Sequence, residues 1–380
     1  AGVQTINLGA TVNKQPWHLS DLNSLDVAAT PLSPAAVDSK DDRQPYTDSY
    51  SFTISQRLPW SSLLEVAYVG NSSHDLQLTS GAGSNINLVP YGALLGQGVD
   101  PNSLTADNFR PLKGFSDVNL ATNGGFANYN SLQVTWVRSK GRYNLNLNYT
   151  FGKSMGIVSS TLDQFNLNND YGVQPGNRTH IFNAAYSVEL GRFAHNKIAG
   201  GIVNGWQLSG ITQIQSGANL TGNSGGDNFG FNLNNAFQLP SGYNVSSASI
   251  LGTNAIQLNP VLTCNPASNL SAHQFINASC FAVPSQIGQN GPSVLPAIYG
   301  PAFFNSDLGI FKNFQIKESK KVQFRVDAYN FLNHPLWSFN GNHLTLSYDP
   351  TTKTIGDPNF GITTDKQGHR VVQLAVKFYF

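Results

Sequence analysis

The stretch "YNLNLNYTF" limits what this chain can fold into more than any other. Tyr143, Leu145, Leu147, Tyr149 and Phe151 alternate with Asn144, Asn146 and Asn148. Side chains along a β-strand point to opposite faces in turn, so this period of two fits a strand with one apolar and one polar face, and fits no helix. The same period recurs along the chain. Tyr50, Phe52 and Ile54 alternate with Ser51, Thr53 and Ser55; Leu64, Val66 and Tyr68 with Glu65 and Ala67; Leu132, Val134 and Trp136 with Gln133 and Thr135. Phe182, Ala184, Tyr186 and Val188 share one face, as do Trp206, Leu208 and Ile214. "NSDLGIFKNFQI" and "VQFRVDAYNF" follow, and in "VVQLAVKFYF" Val372, Leu374, Val376, Phe378 and Phe380 share a parity. About nine strands result, and no segment combines helical periodicity with caps.

The connections carry a second pattern. "LPWSS", "SKGR" and "KESK" are short turns after the first, third and seventh strands, and the linker after the fifth is modest. Long stretches rich in Gly, Asn, Ser and Pro, near 71–127, 152–178, 217–302 and 333–368, follow the even-numbered strands. A β-sandwich has no reason to keep its long connections at one end. A barrel of the bacterial outer membrane does, with short turns in the periplasm and long loops outside. The expected fold is therefore all-β, an antiparallel transmembrane barrel with a periplasmic C-terminus. A barrel with both ends on one side needs an even strand count, so at least one strand should precede Tyr46. Residues 1–45 read as a loop region with one weak strand around Val3 to Thr11.

Charge and aromatic placement agree with this scheme. A Lys or Arg facing lipid at mid-membrane costs about 2–4 kcal/mol. Glu65, Glu189, Asp307, Arg325, Asp327 and Lys377 all fall on the polar parity of their strands. The exceptions, Arg138, Lys153 and Lys312, sit near strand ends, where a long side chain snorkels to the interface. Glu65, Asp307, Arg325 and Asp327 are thus expected to face the lumen, where the last three would line a path or contact a plug, or simply satisfy one another as a cross-strand ion network. Trp60, Trp136, Tyr143 and Trp206, with Phe378 and Phe380, fall at or near the short-turn ends, where an aromatic girdle belongs.

Composition narrows the function classes. Charged residues are only 11% and the formal charge is +1, with no basic cluster to neutralise phosphates, so no nucleic-acid partner is expected. No run of roughly 18 apolar residues is present, which excludes a transmembrane helix and leaves transmembrane strands of about ten residues open. "AGVQTINLGA" lacks a basic region followed by an apolar core and does not read as a signal peptide, so the chain reads as a mature form or a fragment. Cys264 and Cys280 lie in one long polar region. In an oxidising compartment they would close a short loop worth roughly 3 kcal/mol; otherwise they are two free thiols.

Other motifs point nowhere strong. "DLNSLD" from Asp21 to Asp26 lacks the glycine and distal glutamate of a calcium loop, and "GGDNFG" around Asp227 reads as a surface loop. The histidines are scattered without ligand spacing; His180 and His334 sit at strand ends as interface residues. "GFSDV" around Ser116 lacks the last glycine of a nucleophile elbow. The sequons at Asn177 and Asn277 arise easily in such loops. No metal, cofactor or enzymatic activity is expected.

The ordered set "QPYTDSYSFTISQRLPWSSLLEVAYVGNSSHDL", "NYNSLQVTWVRSKG", "LNYTFGKSM", "NGWQLSGITQIQSG", "DLGIFKNFQI", "FRVDAYNFLNHPLW" and "VVQLAVKFYF" resembles the C-terminal part of TonB-dependent outer-membrane receptors, of the Oar-like type common in acidobacteria. The resemblance runs from about Tyr46 to Phe380. It implies a barrel of about 22 strands filled by an N-terminal plug, of which residues 46–380 would supply the last nine or ten. It implies uptake or export of a bulky solute, with TonB engaged through segments not recognisable here. It also implies that Phe380, with Phe378 two residues before, is the signal read by the barrel-assembly machinery. The alternatives are a surface or adhesion protein that uses the barrel as an anchor and its long loops for binding, and a soluble secreted β-protein.

Overall fold

A computed structural model describes residues 33, 35–37, 42–78, 85–157, 163–221, 230–232, 237–317, 320–340, 343–347 and 357–380. The expected weak strand at Val3 to Thr11, the Asp21–Asp26 segment and the loop at Asp227 lie outside these residues. Nine long strands dominate: β1 (Tyr46–Leu58), β2 (Ser62–Leu78), β3 (Asn119–Lys140), β4 (Tyr143–Ile157), β5 (His180–Glu189), β6 (Trp206–Gln215), β7 (Phe303–Lys317), β8 (Lys320–Tyr329) and β9 (Val371–Tyr379). They pair in sequence order, each antiparallel to the next. The shortest have 9–10 residues, the length that crosses the hydrocarbon of a bilayer, and the 22 residues of β3 reach well beyond it.

Register turns nine separate alternations into one surface. Ile54 pairs with Val66, Val66 with Val134, Val134 with Tyr149, Tyr149 with Phe182 and Phe182 with Ile214. Lower on the sheet, Val188, Leu208, Ile310, Val326 and Leu374 form a second such row. On the other face, Ser55, Glu65, Thr135, Asn148, Asn183, Gln213 and Asn305 run across seven strands. A one-residue slip at any pairing would move a strand's apolar set to the polar face, so the rows fix the register. The apolar face is left open: Phe52, Ile54, Leu374 and Val376 are 57–69% exposed. A soluble protein rarely exposes so wide an apolar surface.

The strands run further than the alternation suggested. Residues 71–78, 119–127 and 152–157, expected within loops, are strand. Ala35–Val37 pairs parallel with Asn119–Ala121 at the far end of β3, so it adds no neighbour to β1. Among the described residues, β1 and β9 therefore each keep one unpaired edge.

The long connections fold over one end of the sheet as a cap with its own core. Leu220, Ile276, Phe281 and Ile298 from the β6–β7 connection pack with Phe339, Leu344, Leu346 and Phe360 from the β8–β9 connection. A second cluster, Leu239, Val245, Ile250, Leu251 and Leu258, includes α2 (Ser247–Leu251). Backbone hydrogen bonds tie the connections together: the Phe275 N–H donates to the Gly361 carbonyl at 2.7 Å, and the Gly92 N–H to Leu251 at 2.9 Å. A second helix, α1 (Lys197–Val203), lies in the β5–β6 linker.

Candidate functional site

The polar face is concave. A groove of about 570 Å³ lies against it, lined by Asn144, Asn146, Ser187, Ser209, Asp327 and Arg325 among others. The row Ser139, Asn144, Ser187, Ser209, Gly309 and Asp327 forms its floor, so the groove crosses six strands at one level. Gly309 is needed there. A Cβ at this position would sit 2.6 Å from Asp327 Oδ1, so any side chain would displace that carboxylate.

Three of the four charged residues expected on this face gather at the groove. Arg325 Nε donates to both carboxylate oxygens of Asp327, at 2.8 and 2.6 Å, and the guanidinium lies 5.6 Å from the Phe311 ring. This pair lies along β8, two residues apart. Asp307 takes no part in it: its Oδ1 accepts from the Asn330 N–H at 2.8 Å and from Asn305 Nδ2 at 3.2 Å. The expected cross-strand ion network is corrected accordingly: the observed ion pair lies within one strand, and Asp307 anchors the chain where it leaves β8. Glu65 stands apart from the groove and accepts from Ser55 Oγ at 3.0 Å. The surface offers amides, hydroxyls, the Arg325–Asp327 ion pair, and the charged side chains of Asp307 and Arg138, which suits a hydrated, polar solute or a polar protein surface.

The aromatics expected in a girdle lie at the short-turn end. Trp60 occupies the β1–β2 turn with φ 62° and is exposed. Tyr143 begins β4 beneath Arg138, whose guanidinium is 5.1 Å from its ring. Trp136 is on the apolar face between Leu64 and Leu147. Trp206 Nε1 donates to the Ile202 carbonyl at 2.8 Å. Lys312 does not snorkel as expected. It is buried, and its Nζ donates to the Gly201 and Ile202 carbonyls, the latter at 2.9 Å. Arg138 and Lys153 keep their places near strand ends.

The opposite rim carries a ring of aromatic and histidine contacts that the alternation alone does not single out. His74 stacks on Tyr46, Tyr149 Oη is 2.8 Å from His180 Nδ1, and Phe304 meets His334 edge-on. Tyr50 and Tyr68 both donate to Asn130 Oδ1 at 2.7 Å. At the C-terminus Phe378 and Phe380 stack at 5.9 Å, on the short-turn end of β9 and beside its unpaired edge.

In the cap, Cys264 and Cys280 form a disulfide. Two buried asparagines organise the surrounding backbone. Asn87 Nδ2 donates to the carbonyls of Leu112, Phe115 and Ser116, while its Oδ1 accepts from the Leu112 N–H. Asn330 holds His334 and Gly368 in the same way. Nothing local separates these two from the many solvated asparagines in similar stretches, so sequence reasoning missed them. Asp170 is fully buried with Oδ1 unpartnered, and burial, with the nearby charge of Asp163 adding to it, pushes its carboxyl up to about 6.

A family model described as an outer membrane beta barrel domain matches residues 3–373. No curated protein matches. Among solved structures the chain is similar to the outer membrane transporter YddB from Escherichia coli, at 10% identity and a TM-score of 0.38. That alignment covers 92% of this chain and 34% of the transporter's, so the chain spans about a third of its length.

Proposed function

The chain belongs to the outer membrane beta barrel domain family, and on that premise we propose that it forms part of the wall of a TonB-dependent receptor of the Oar-like type. In this reading the nine strands join others to close a barrel of about 22, and a plug fills the lumen. The observation that carries the reading is the register. It lays one apolar face across nine strands and one concave, polar face behind it, with both outer edges of the sheet unpaired among the described residues. Such edges are templates for further strands. The groove above Asp327 then faces the plug or the solute path, the cap faces outward, and Phe378 and Phe380 mark the strand that the assembly machinery engages. The solute is bulky and polar.

The test is genetic. Deleting the gene in its host and disabling TonB should remove growth on the same nutrient. A growth defect that ignores TonB would contradict energy-coupled transport.

A second reading rests on the cap. Its two apolar clusters, its disulfide and its interlocked connections make it a folded unit rather than a set of free loops. A surface-binding protein anchored by the barrel would present such a unit. Removal of the cap separates the two: it would abolish attachment in an adhesin, and would alter solute choice while sparing TonB dependence in a receptor.

A further inference from the structure

The β5–β6 connection is built unlike its counterparts at the same end of the sheet. Residues 59–61 join β1 to β2 and residues 141–142 join β3 to β4, whereas residues 190–205 separate β5 from β6. Those sixteen residues are tightly tied. Asn196 Oδ1 caps α1 by accepting from the Ala199 N–H at 2.6 Å. Asn204 closes the other end: its Oδ1 accepts from Phe193 and Ala194 N–H groups, and its Nδ2 donates to the Ala194 carbonyl at 2.7 Å. The last-turn carbonyls take Trp206 Nε1 and the Lys312 ammonium, a cation where the helix dipole is negative.

A linker fixed this firmly nevertheless leaves its apolar side chains uncovered. Ile198 is 81% exposed, Ile202 62% and Phe193 65%. Ile198 and Ile202 are four residues apart and so share one helix face. Lys312 and Trp206 pair with each other on the apolar parity of the sheet, so α1 rests on the lipid side, at the rim. Phe314 and Ile316, two and four residues further along β7 from Lys312 and on the same parity, are exposed as well. Arg192 stands in the same short connection and brings positive charge to the headgroup level. Apolar residues on one face beside basic ones are the mark of a helix lying in a membrane interface.

We propose that α1 is an interfacial anchor, with Ile198, Ile202 and Phe193 inserted among the phospholipids of the leaflet at the short-turn end, and Lys312 as the bolt that holds the helix to the barrel wall. The proposal rests on the outer-membrane barrel reading. It also gives a reason for a lysine on the lipid-facing parity of β7: the helix covers it and supplies its acceptors.

The test is a spin label at Ile198→Cys in the full chain, reconstituted in vesicles of phosphatidylethanolamine and phosphatidylglycerol. The native cysteines are bonded to each other, so the new thiol is labelled alone. Collision with oxygen reports lipid, and collision with a water-soluble nickel chelate reports water. The label at 198 should favour oxygen, as a second label at Phe52→Cys on the sheet should. Lys312→Met, which suits the lipid-facing parity, should raise the mobility of the label at 198 and cut its preference for oxygen several-fold. Oxygen preference at 52 with nickel preference at 198 overturns the anchor and leaves the barrel standing. Shielding of 198 from both agents also overturns it, by putting a protein surface where lipid is expected. Water exposure at 52 removes the barrel reading itself.

Discussion

The sheet and the cap are made from the same kinds of residue under opposite rules. In the cap the large apolar side chains are hidden: Ile250 and Ile276 are fully buried, and polar Asn87 is buried with them because every hydrogen-bonding group finds a partner. In the sheet the apolar row is open, and Leu374 and Val376 are each 69% exposed. The cap carries its own interior, whereas the sheet, in the reading proposed above, is half of an interface whose other half is lipid. Stability in the two regions therefore depends on different things: side-chain packing and a covalent tie in one, the surrounding solvent in the other.

That contrast breaks most visibly when matching substitutions are made on each side. Ile276→Ala should cost the cap about 2–5 kcal/mol through the cavity it leaves, read as lost hydrogen-exchange protection across 237–300 with the strands unchanged. Leu374→Ala on the exposed row should leave the cap's protection where it was. Next in size is charge on the sheet. Val134→Arg places a guanidinium in the apolar row and should cost about 2–4 kcal/mol of folding into lipid, measured by denaturant titration in vesicles. Gln133→Arg, one residue earlier and on the concave face, should cost far less. Equal costs would mean the two faces do not meet different media.

The disulfide sharpens the contrast further. Replacing both Cys264 and Cys280 with Ser should weaken the cap by roughly 3 kcal/mol and leave the strands' melting in detergent unaltered. The smallest effect is set by pH. Asp170 titrates at about 6 in the folded cap against an ordinary 3.8. Because the folded value is raised, the fold favours the neutral acid. The cap is at full strength below 3.8 and weakens as pH rises through about 6, by on the order of 2 kcal/mol. Asp170→Asn should abolish that dependence and make the cap more stable at neutral pH than the parent, as seen in hydrogen exchange at pH 5 and pH 8.

The two regions also differed in how far they could be read from sequence. The nine strands were legible because a period of two is local, and the charges on its polar parity supported it. The extensions were not: residues 119–127, "NLATNGGFA", have little alternation and become strand through pairing with β2 and with Ala35–Val37. The cap was legible only as long polar connections, since its clusters join residues more than a hundred positions apart, such as Leu220 and Leu346. Helix α1 was missed for a similar reason. Its seven residues contain Gly200 and Gly201, which lower helix propensity, and tertiary partners, Lys312 and Trp206, hold it. The position of Lys312 on an apolar parity was the visible sign, and it pointed to a covering element rather than to snorkelling. Of the groove, sequence placed Asp327 and Arg325 on the right face. Their pairing along one strand, and the role of Gly309 beneath them, emerged only with the register.

The central claim is that one face of the sheet meets lipid and the other meets water, and β3 offers the most direct measurement of it. Single cysteines at Ser131, Leu132, Gln133, Val134, Thr135 and Trp136, in protein held in phospholipid vesicles, can each be tested with a water-soluble maleimide. The account predicts strict alternation: rapid labelling at 131, 133 and 135, and protection at 132, 134 and 136 that is lost when the protein is unfolded. Labelling at equal rates on both parities, or protection of the polar one, would contradict it.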